Sequence, residues 1–256
     1  MNDASTRHRK TRSAKLTAIG RSFDVYYRDR ARTARMDRLN AAFVTQGARV
    51  FDIGAHVGDR TGSFLRLGAS VVALEPQPHV FRALRLLYGR RPDVALLPVA
   101  AGAMPGELTL HLNSRNPTVA TAAPDFMTAA AQSADWRDQV WDDQVTVPTM
   151  TLDGLIARYG TPDFVKIDVE GHEPEVLEGL GTALPALSFE FTTIQRRAAH
   201  RAIDRLSILG DYEYNLSLGE EHNLRHPSWL TPDALRKELD TLPDAANSGD
   251  IYARRI

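Results

Sequence analysis

The sequence of 256 residues is long enough for one large domain with its own hydrophobic core. Hydrophobic residues make up 43% and charged residues 25%, the balance of an ordinary globular protein, and no apolar stretch reaches membrane-spanning length. The absence of cysteine excludes disulfides and cysteine-ligated metals.

The formal net charge of -1 hides an uneven distribution along the chain. Residues 1–38 hold 11 Arg or Lys and only 4 Asp, so the remainder is acidic. This basic arm favours either a solvated surface segment or weak contact with an acidic lipid surface, substrate or partner. It lacks the interleaved aromatic residues typical of single-stranded nucleic-acid binding, so no nucleic-acid partner is expected. The first 20 residues contain no apolar signal region, and we expect a cytoplasmic protein.

Apolar residues recur every three or four positions from Leu16 to Tyr27 and from Met36 to Phe43, which predicts two short amphipathic helices. We therefore expect a basic helical arm over residues 1–46, followed by one domain over 47–256. In that domain short apolar runs alternate with helical patterns. Strands are predicted at 49–54, 70–76, 94–102, 106–112, 162–169, 186–191, 211–218 and 250–256. Such alternation predicts a mostly parallel sheet with helices on both faces.

Residues 113–147 interrupt the alternation, because they are polar and rich in alanine and contain Trp136 and Trp141. They follow the 106–112 run, which alternates like an edge strand. The segment is interpreted as an insertion that forms a lid or a wall of the substrate site, or else as a plain helical excursion.

The turn after the first strand, "VFDIGAHVGDRTGSF" (50–64), is typical of a site for a charged ligand. It has no lysine between Gly54 and Thr61, so it is not a phosphate-binding P-loop. A dinucleotide turn needs glycine where His56 and Asp59 stand, and His56 would obstruct a pyrophosphate. The remaining pattern, an acid followed by glycines at alternate positions, is that of nucleoside-binding methyltransferases. Asp52, Gly54 and Gly58 fit this pattern, but His56 stands in the middle position, so the match needs support elsewhere in the chain.

Glu75 ends the second predicted strand, where a carboxylate can accept both hydroxyl hydrogens of a ribose. S-adenosylmethionine carries such a ribose, an ammonium that Asp52 can bind, and a carboxylate that the amide groups near Thr61 can bind. The predicted cofactor-binding residues are Asp52, Gly54, Ala55, His56, Gly58, Thr61, Glu75, Pro76, Val99, Ala100 and Asp168.

A second cluster of titratable residues, Asp168, Glu170 and His172, follows the strand at 162–169. Ligands of open parallel sheets bind beyond the carboxyl ends of the strands, so this cluster is predicted to be catalytic, with one member as general base. Gly171 permits a turn that could bring Glu170 and His172 to the same side of the pocket. Together with Glu190, the two carboxylates also suit Mg²⁺, and the sequence does not decide whether a metal binds.

Six segments, "VFDIGAHVG", "ALEPQP", "VPTMTLDGL", "KIDVEGHEPEVLEGL", "LSFEF" and "GDIYAR", resemble the FkbM family of S-adenosylmethionine-dependent methyltransferases, over roughly Tyr26 to Arg254. The resemblance implies a Rossmann-like class I methyltransferase fold, with a seven-stranded, mostly parallel sheet whose last strand is antiparallel. It implies O-methylation of a hydroxyl on a small molecule, sugar, glycolipid or other natural product. It also assigns Asp52, Gly54 and Gly58 to the cofactor loop, Glu75 to the ribose, and the stretch from Asp168 to Glu170 to the active site.

Two other functions remain open at this stage. One is a non-catalytic module that binds S-adenosylmethionine or a nucleoside, although the acidic cluster at 168–172 favours an enzyme. The other is an NAD-dependent oxidoreductase, which His56 and the absence of a Tyr-x-x-x-Lys pair disfavour.

Overall fold

A computed structural model describes residues 17–256. Its ten strands are β1 (Arg49–Ile53), β2 (Ser70–Leu74), β3 (Val94–Leu97), β4 (Ala100–Ala101), β5 (Gly106–Leu112), β6 (Asp143–Met150), β7 (Phe164–Ile167), β8 (Ala186–Thr192), β9 (Tyr212–Leu218) and β10 (Ser248–Arg255). The helices are α1 (17–27), α2 (Arg30–Asn40), α3 (Asp59–Arg66), α4 (Pro78–Tyr88), α5 (Pro124–Gln132), α6 (Leu152–Tyr159), α7 (Glu173–Glu178), α8 (Arg196–Leu209) and α9 (Pro232–Thr241). Short 3₁₀ turns lie at Pro117–Val119, Thr193–Gln195 and Asp244–Ala246.

Seven strands form the main sheet, in the order β3-β2-β1-β7-β8-β10-β9. Neighbours from β3 to β8 run parallel, whereas β10 is antiparallel to both β8 and β9. The predicted fold class, a Rossmann-like, mostly parallel sheet with an antiparallel last strand, is therefore confirmed.

Three strands form a second sheet in the order β4-β6-β5, which the sequence analysis did not foresee. The run at 94–102 was predicted as one strand, but it divides at Pro98, which has no amide hydrogen to continue the ladder. The run at 106–112 is β5, and it pairs with β6 rather than with the main sheet. Residues 143–147, the end of the predicted insertion, lie in β6.

Helices cover both faces of the main sheet, because side chains along each buried strand alternate between two apolar cores. On β1, Val50 packs into the core formed with α2, α3 and α4. The next residue, Phe51, points to the opposite face, into the core formed with α6, α7, α8 and α9. Both side chains are fully buried, as expected for a central strand.

The helices at the amino end lie beside the main domain. The two predicted amphipathic helices correspond to α1 and α2, although α2 ends at Asn40, before Phe43. Leu16 and the most basic part of the arm lie outside the described residues. Within residues 17–256, none of the helices combines the length and the apolar composition needed to cross a membrane. The division between arm and domain at residue 46 stays a prediction.

Candidate active site

A deep cleft opens at the carboxyl ends of β1, β2 and β7, where open parallel sheets bind their ligands. It encloses about 1030 Å³, including its open mouth. The predicted cofactor-binding residues that line it are Asp52, Gly54, Ala55, His56, Glu75, Pro76, Val99, Ala100 and Asp168. The predicted catalytic residues Glu170 and His172 line it as well. The structure therefore brings both predicted groups of residues to one cleft.

Gly54 joins β1 to the turn that begins the cleft, and no other residue fits there. Its φ is +84°, a left-handed conformation that favours glycine. A Cβ atom on Gly54 would lie 1.8 Å from the carbonyl oxygen of Asp168. The missing side chain thus allows the ends of β1 and β7 to approach, which places the two predicted groups side by side.

Asp52 is a buried carboxyl with one partnered and one free oxygen. The Thr61 hydroxyl donates a 2.5 Å hydrogen bond to Oδ2, whereas the buried Oδ1 has no donor among the described residues. Burial raises the pKa of Asp52 to about 6. A buried acceptor without a donor is costly unless a ligand supplies one, so Oδ1 is available to a cationic or hydrogen-bonding ligand.

Gly58 and Thr61 lie behind the wall of the cleft rather than on its surface. Gly58 begins α3 with a φ of +86°, and a Cβ there would lie 2.6 Å from atoms of Leu84 and Tyr88. Its carbonyl accepts a 3.0 Å hydrogen bond from the Tyr88 hydroxyl. Gly58 therefore packs α3 against α4, and Thr61 orients Asp52. Direct contact of either residue with a cofactor stays a prediction.

Glu75 is held by main-chain groups in one orientation. Its Oε1 accepts a 2.7 Å hydrogen bond from the Gln77 amide, and its Oε2 accepts one of 3.0 Å from the His56 amide. Burial raises the pKa of Glu75 to about 7. Each carboxylate oxygen can accept a further hydrogen bond, so a pair of ligand hydroxyl groups can bind both at once.

His56 occupies the turn with a φ of +49°, which is uncommon for a residue with a side chain. Its ring meets the ring of Tyr26 edge to face, with centroids 5.8 Å apart. Burial lowers the pKa of His56, so the ring is neutral near pH 7, and its Nε2 has no partner among the described residues. A ring in this position leaves little room for a pyrophosphate.

Lys166 forms a buried ion pair at the end of β7. Its Nζ lies 2.7 Å from Oδ2 of Asp168 and 3.2 Å from Oδ1 of Asp250 on β10. Burial opposes the charge, but the two carboxylates raise the pKa of Lys166 above its ordinary value. Lys166 is therefore a fixed cation that anchors Asp168, not a proton carrier.

The turn after β7 brings Glu170 and His172 to the cleft, as the sequence predicted. Glu170 and Gly171 both have positive φ, +55° and +91°. The hydroxyl of Thr121 donates a 2.6 Å hydrogen bond to the carbonyl of Glu170, which ties the turn to the predicted insertion. Burial raises the pKa of Glu170 well above its ordinary value and lowers the pKa of His172.

Asp168, Glu170 and Glu190 form an acidic cluster in the wall of the cleft. One carboxylate oxygen from each residue lies within 4.8 Å of the others. Burial, and then the neighbouring Asp168 and Glu170, raise the pKa of Glu190 well above its ordinary value. Glu190 reaches this cluster because β8 lies directly beside β7.

The predicted insertion supplies another wall of the cleft. Thr118, Ala120 and Ala122 line the cleft. The segment is held by the Trp141 indole nitrogen, which donates a 2.8 Å hydrogen bond to the carbonyl of Val119. A wall at this place agrees with the interpretation as part of the substrate site, while movement as a lid stays a prediction.

The model of the methyltransferase FkbM domain matches residues 52–216. The chain belongs to the FkbM methyltransferase family. Its match begins at Asp52 and includes Glu75, the acidic cluster and the insertion, so the whole cleft apart from Tyr26 and Glu220 lies within the matched residues.

A curated relative of this FkbM domain is the hexuronic acid methyltransferase AglP of Haloferax volcanii. It is 25% identical over 160 residues, which cover 61% of this chain and 60% of AglP. The matched region therefore spans less than two thirds of that relative.

Two solved methyltransferases are among the structures to which this chain is similar in fold. One is the O-methyltransferase from Bacillus cereus in complex with SAH, with a TM-score of 0.47 and 12% identity over 96% of this chain and 90% of that one. Another is precorrin-6y C5,15-methyltransferase from Geobacter metallireducens, with a TM-score of 0.44 and 12% identity over 88% and 87% of the two chains.

Several charged or aromatic residues that line the FkbM cleft were not predicted as site residues. Tyr26 reaches it from α1, Arg60 from α3, and Glu220 from the loop after β9. Arg32 of α2 lies 2.6 Å from Glu220 and also 2.9 Å from Asp59, which again lines the cleft. Arg60 had an indication in the sequence, since it follows the predicted cofactor turn directly. The positions of Tyr26 and Glu220 depend on packing between distant segments.

Proposed function

We propose that the chain is an S-adenosylmethionine-dependent O-methyltransferase that acts on a hydroxyl group of a sugar, glycolipid or other small molecule. The observation that carries the proposal is the paired arrangement of Asp52 and Glu75 in the cleft of an FkbM-family chain. One carboxyl has a buried oxygen without a donor, and the other is fixed by two main-chain amides.

The two carboxyls match different parts of the cofactor. Glu75 would accept the two hydroxyl groups of the ribose, and Asp52 would bind the ammonium of the methionine part through Oδ1. The first amide groups of α3 would bind the methionine carboxylate, as helix amino ends favour anions. Pro76, Val99 and Ala100 line the cleft and would contact the adenine.

In the proposed complex the predicted catalytic cluster would face the sulfonium methyl group of the cofactor. In the proposed reaction an acceptor oxygen attacks the methyl carbon of the sulfonium; a C–O bond forms and the C–S bond breaks. The acceptor proton passes to Glu170 or His172, and the thioether product leaves uncharged. The largest contribution of the protein would be to hold the two reactants in line, since correct orientation alone can supply several kcal/mol.

The acceptor is proposed by class only. The relative AglP is named for methylation of a hexuronic acid, and its similarity to this chain supports a sugar hydroxyl as the acceptor. The insertion wall and the acidic cleft are features of this chain, and they would determine which sugar it accepts. The similarity to AglP therefore does not identify the particular sugar.

Calorimetry tests the cofactor directly. We expect S-adenosylmethionine and its demethylated product to bind more tightly than NAD or ATP. Glu75→Gln keeps the shape but removes the charge, and it should weaken S-adenosylmethionine binding by roughly 1.5–3 kcal/mol, the value for hydrogen bonds to charged groups. Glu107→Gln is the matched control, because Glu107 is exposed on β5 and outside the cleft. Tight NAD binding without S-adenosylmethionine binding would overturn the proposal.

A further inference from the structure

The oxygens of the acidic cluster are spaced as the ligands of one metal ion are. Asp168, Glu170 and Glu190 each contribute one oxygen, all within 4.8 Å of one another. Oxygen ligands lie about 2.0–2.6 Å from Mg²⁺ or Ca²⁺, so two on opposite sides of one ion are about 4–5 Å apart. A single cation between the three carboxylates therefore fits with little movement of the side chains.

Two of the three carboxyls have no protein partner of their own. Glu170 is only 7% exposed, and among the described residues no donor bonds its carboxylate. On Glu190 the enclosed Oε2 also has no donor. Leaving a buried carboxylate unpaired costs several kcal/mol, so these groups either bind a cation or remain protonated.

The nearest protein cation does not neutralise them. Lys166 is bonded to Asp168 and also to Asp250, so its single charge is already shared between two other carboxylates. Arg60 likewise pairs with Asp250, at 3.4 Å. The charge of Glu170 and Glu190 thus exceeds what the neighbouring lysine and arginine supply.

We propose that Asp168, Glu170 and Glu190 bind a divalent cation in the wall of the cleft. All three ligands are carboxylates, and among residues 17–256 no sulfur or imidazole ligand belongs to the cluster, which favours Mg²⁺ or Mn²⁺ over zinc or copper. Water and the acceptor would complete the coordination.

A bound cation would explain how an acidic cleft can bind an acceptor that is rich in oxygen atoms; this explanation rests on the proposed function. Among the described residues that line the cleft, acidic side chains outnumber basic ones, so a sugar acid would be repelled by these side chains. A cation at the cluster would bind adjacent acceptor oxygens, such as a vicinal diol or a hydroxyl beside a carboxylate.

The test uses metal alone with the full chain. The protein is stripped with a chelator, and MnCl₂ is titrated in without cofactor or acceptor, with bound Mn²⁺ followed by electron paramagnetic resonance. We expect one saturable Mn²⁺ per chain. Glu190→Gln should weaken binding at least tenfold, and Glu178→Gln, a matched change on the outer side of α7 where Glu178 pairs with Arg201, should not.

Two results would overturn the cation site. One is wild-type protein that binds no Mn²⁺ at millimolar concentration; infrared spectroscopy should then show a protonated carboxyl band that is weaker in Glu190→Gln. The other is equal Mn²⁺ affinity in wild type, Glu190→Gln and Glu178→Gln. If Glu190→Gln does not fold, Glu170→Gln takes its place.

The cation proposal and the proposed function fail separately. Calorimetry with S-adenosylmethionine in the presence of chelator tests the cofactor without the metal. Cofactor binding without Mn²⁺ binding would reject only the cation, whereas Mn²⁺ binding without cofactor binding would reject only the methyltransferase function.

Discussion

Asp52, Glu75 and Glu170 are buried carboxyls in one cleft, but their partners give them different chemistry. Asp52 is held by a hydroxyl and Glu75 by two amides, so both are fixed acceptors. No donor in the described chain bonds the Glu170 carboxylate, which lies beside Asp168 in the acidic cluster. The hydrogen-bond donors around each carboxyl, and not burial alone, separate the proposed binding groups from the proposed reactive ones.

Replacing His172, one of the two proposed bases, should slow the reaction without loss of the cofactor. We expect His172→Ala to lower kcat by ~10²-fold or more, because general bases contribute roughly 10²–10⁴-fold. Cofactor affinity should be little changed. Transfer of a labelled methyl group to an acceptor under single-turnover conditions measures the chemical step.

Two further variants show whether a loss of activity in His172→Ala comes from loss of the base. His200→Ala is the control, since His200 pairs with Asp240 away from the cleft. Glu170→Gln should also lower kcat, and it should weaken Mn²⁺ binding, which His172→Ala should leave unchanged. If His172→Ala and Glu170→Gln both keep near-full kcat, neither residue is the base.

At the scale of elements, the central strands were predictable and the second sheet was not. Runs such as "RVFDI" and "FVKI" are buried on both faces and are therefore mostly apolar, apart from the charged residues near their ends. By contrast, β6 begins with the polar residues Asp143 and Gln144, whose partners on β5 lie more than thirty positions away along the chain. Its strand character comes from that pairing, and a local pattern does not reveal it.

The residues of the candidate site were likewise predictable from the sequence only in part. Asp52, Glu75 and Asp168 follow apolar strands, so the sequence places them at one edge of a parallel sheet. The contact of Glu190 with the cluster depends on which strand lies beside β7, and that of Tyr26 depends on how α1 packs. Sequence reasoning had grouped Glu190 with Asp168 and Glu170, but it missed Tyr26, whose position is set by long-range packing.

The insertion at 113–147 should respond to the acceptor. Trp141 bonds the carbonyl beside the cleft-lining Ala120, and Trp136 bonds Asn247 at 2.7 Å. Because both indoles hold this wall, its movement should change their fluorescence. Measurements in Trp229→Phe remove the remaining tryptophan, which stacks under Arg254 elsewhere.

The expected result is a saturable change in emission with acceptor, together with slower hydrogen exchange in the segment. Cofactor alone should have a smaller effect, since its proposed residues lie mostly on the main sheet. Unchanged exchange at saturating acceptor would mean that the insertion is a rigid wall and not a lid.

At the scale of the whole molecule, part of the basic arm neutralises the acidic domain. Arg32 is only 4% exposed and bridges Asp59 to Glu220 from α2. The charge asymmetry read from the sequence is thus partly an internal pairing between the arm and the cleft. Contact of the arm with a membrane surface stays a prediction for residues 1–16, which lie outside the described part.

Buried carboxyls should make the cofactor-free protein less stable as pH rises. The pKa of Glu75 is raised to about 7 in the folded state. The stability that this shift contributes to the free energy of unfolding is therefore fully present below the ordinary pKa of Glu and is lost as pH rises through about 7. Asp52 and Glu173 shift in the same direction because both are buried. The amide in Glu75→Gln does not titrate. As pH rises, the unfolding free energy of this variant should therefore fall by about 1–3 kcal/mol less than that of wild type.

Urea unfolding at about pH 5 and about pH 8 gives the change in unfolding free energy between the two pH values for each protein. The effect of Glu75 is the difference between this change in wild type and in Glu75→Gln. The constant cost of the amide cancels, and Glu107→Gln serves again as the exposed control. Equal loss of unfolding free energy in wild type and Glu75→Gln would show that Glu75 does not titrate in this range.

The position of β10 has a consequence for synthesis on the ribosome. It lies between β8 and β9, so β9 has no partner in the main sheet until residues 248–255 emerge. The same strand carries Asp250, the second carboxylate on Lys166. During translation the growing chain therefore holds an unpaired strand and an incompletely neutralised lysine, a state in which unpaired strand edges favour aggregation. Nascent chains stalled before Ser248 should be the form that chaperones bind.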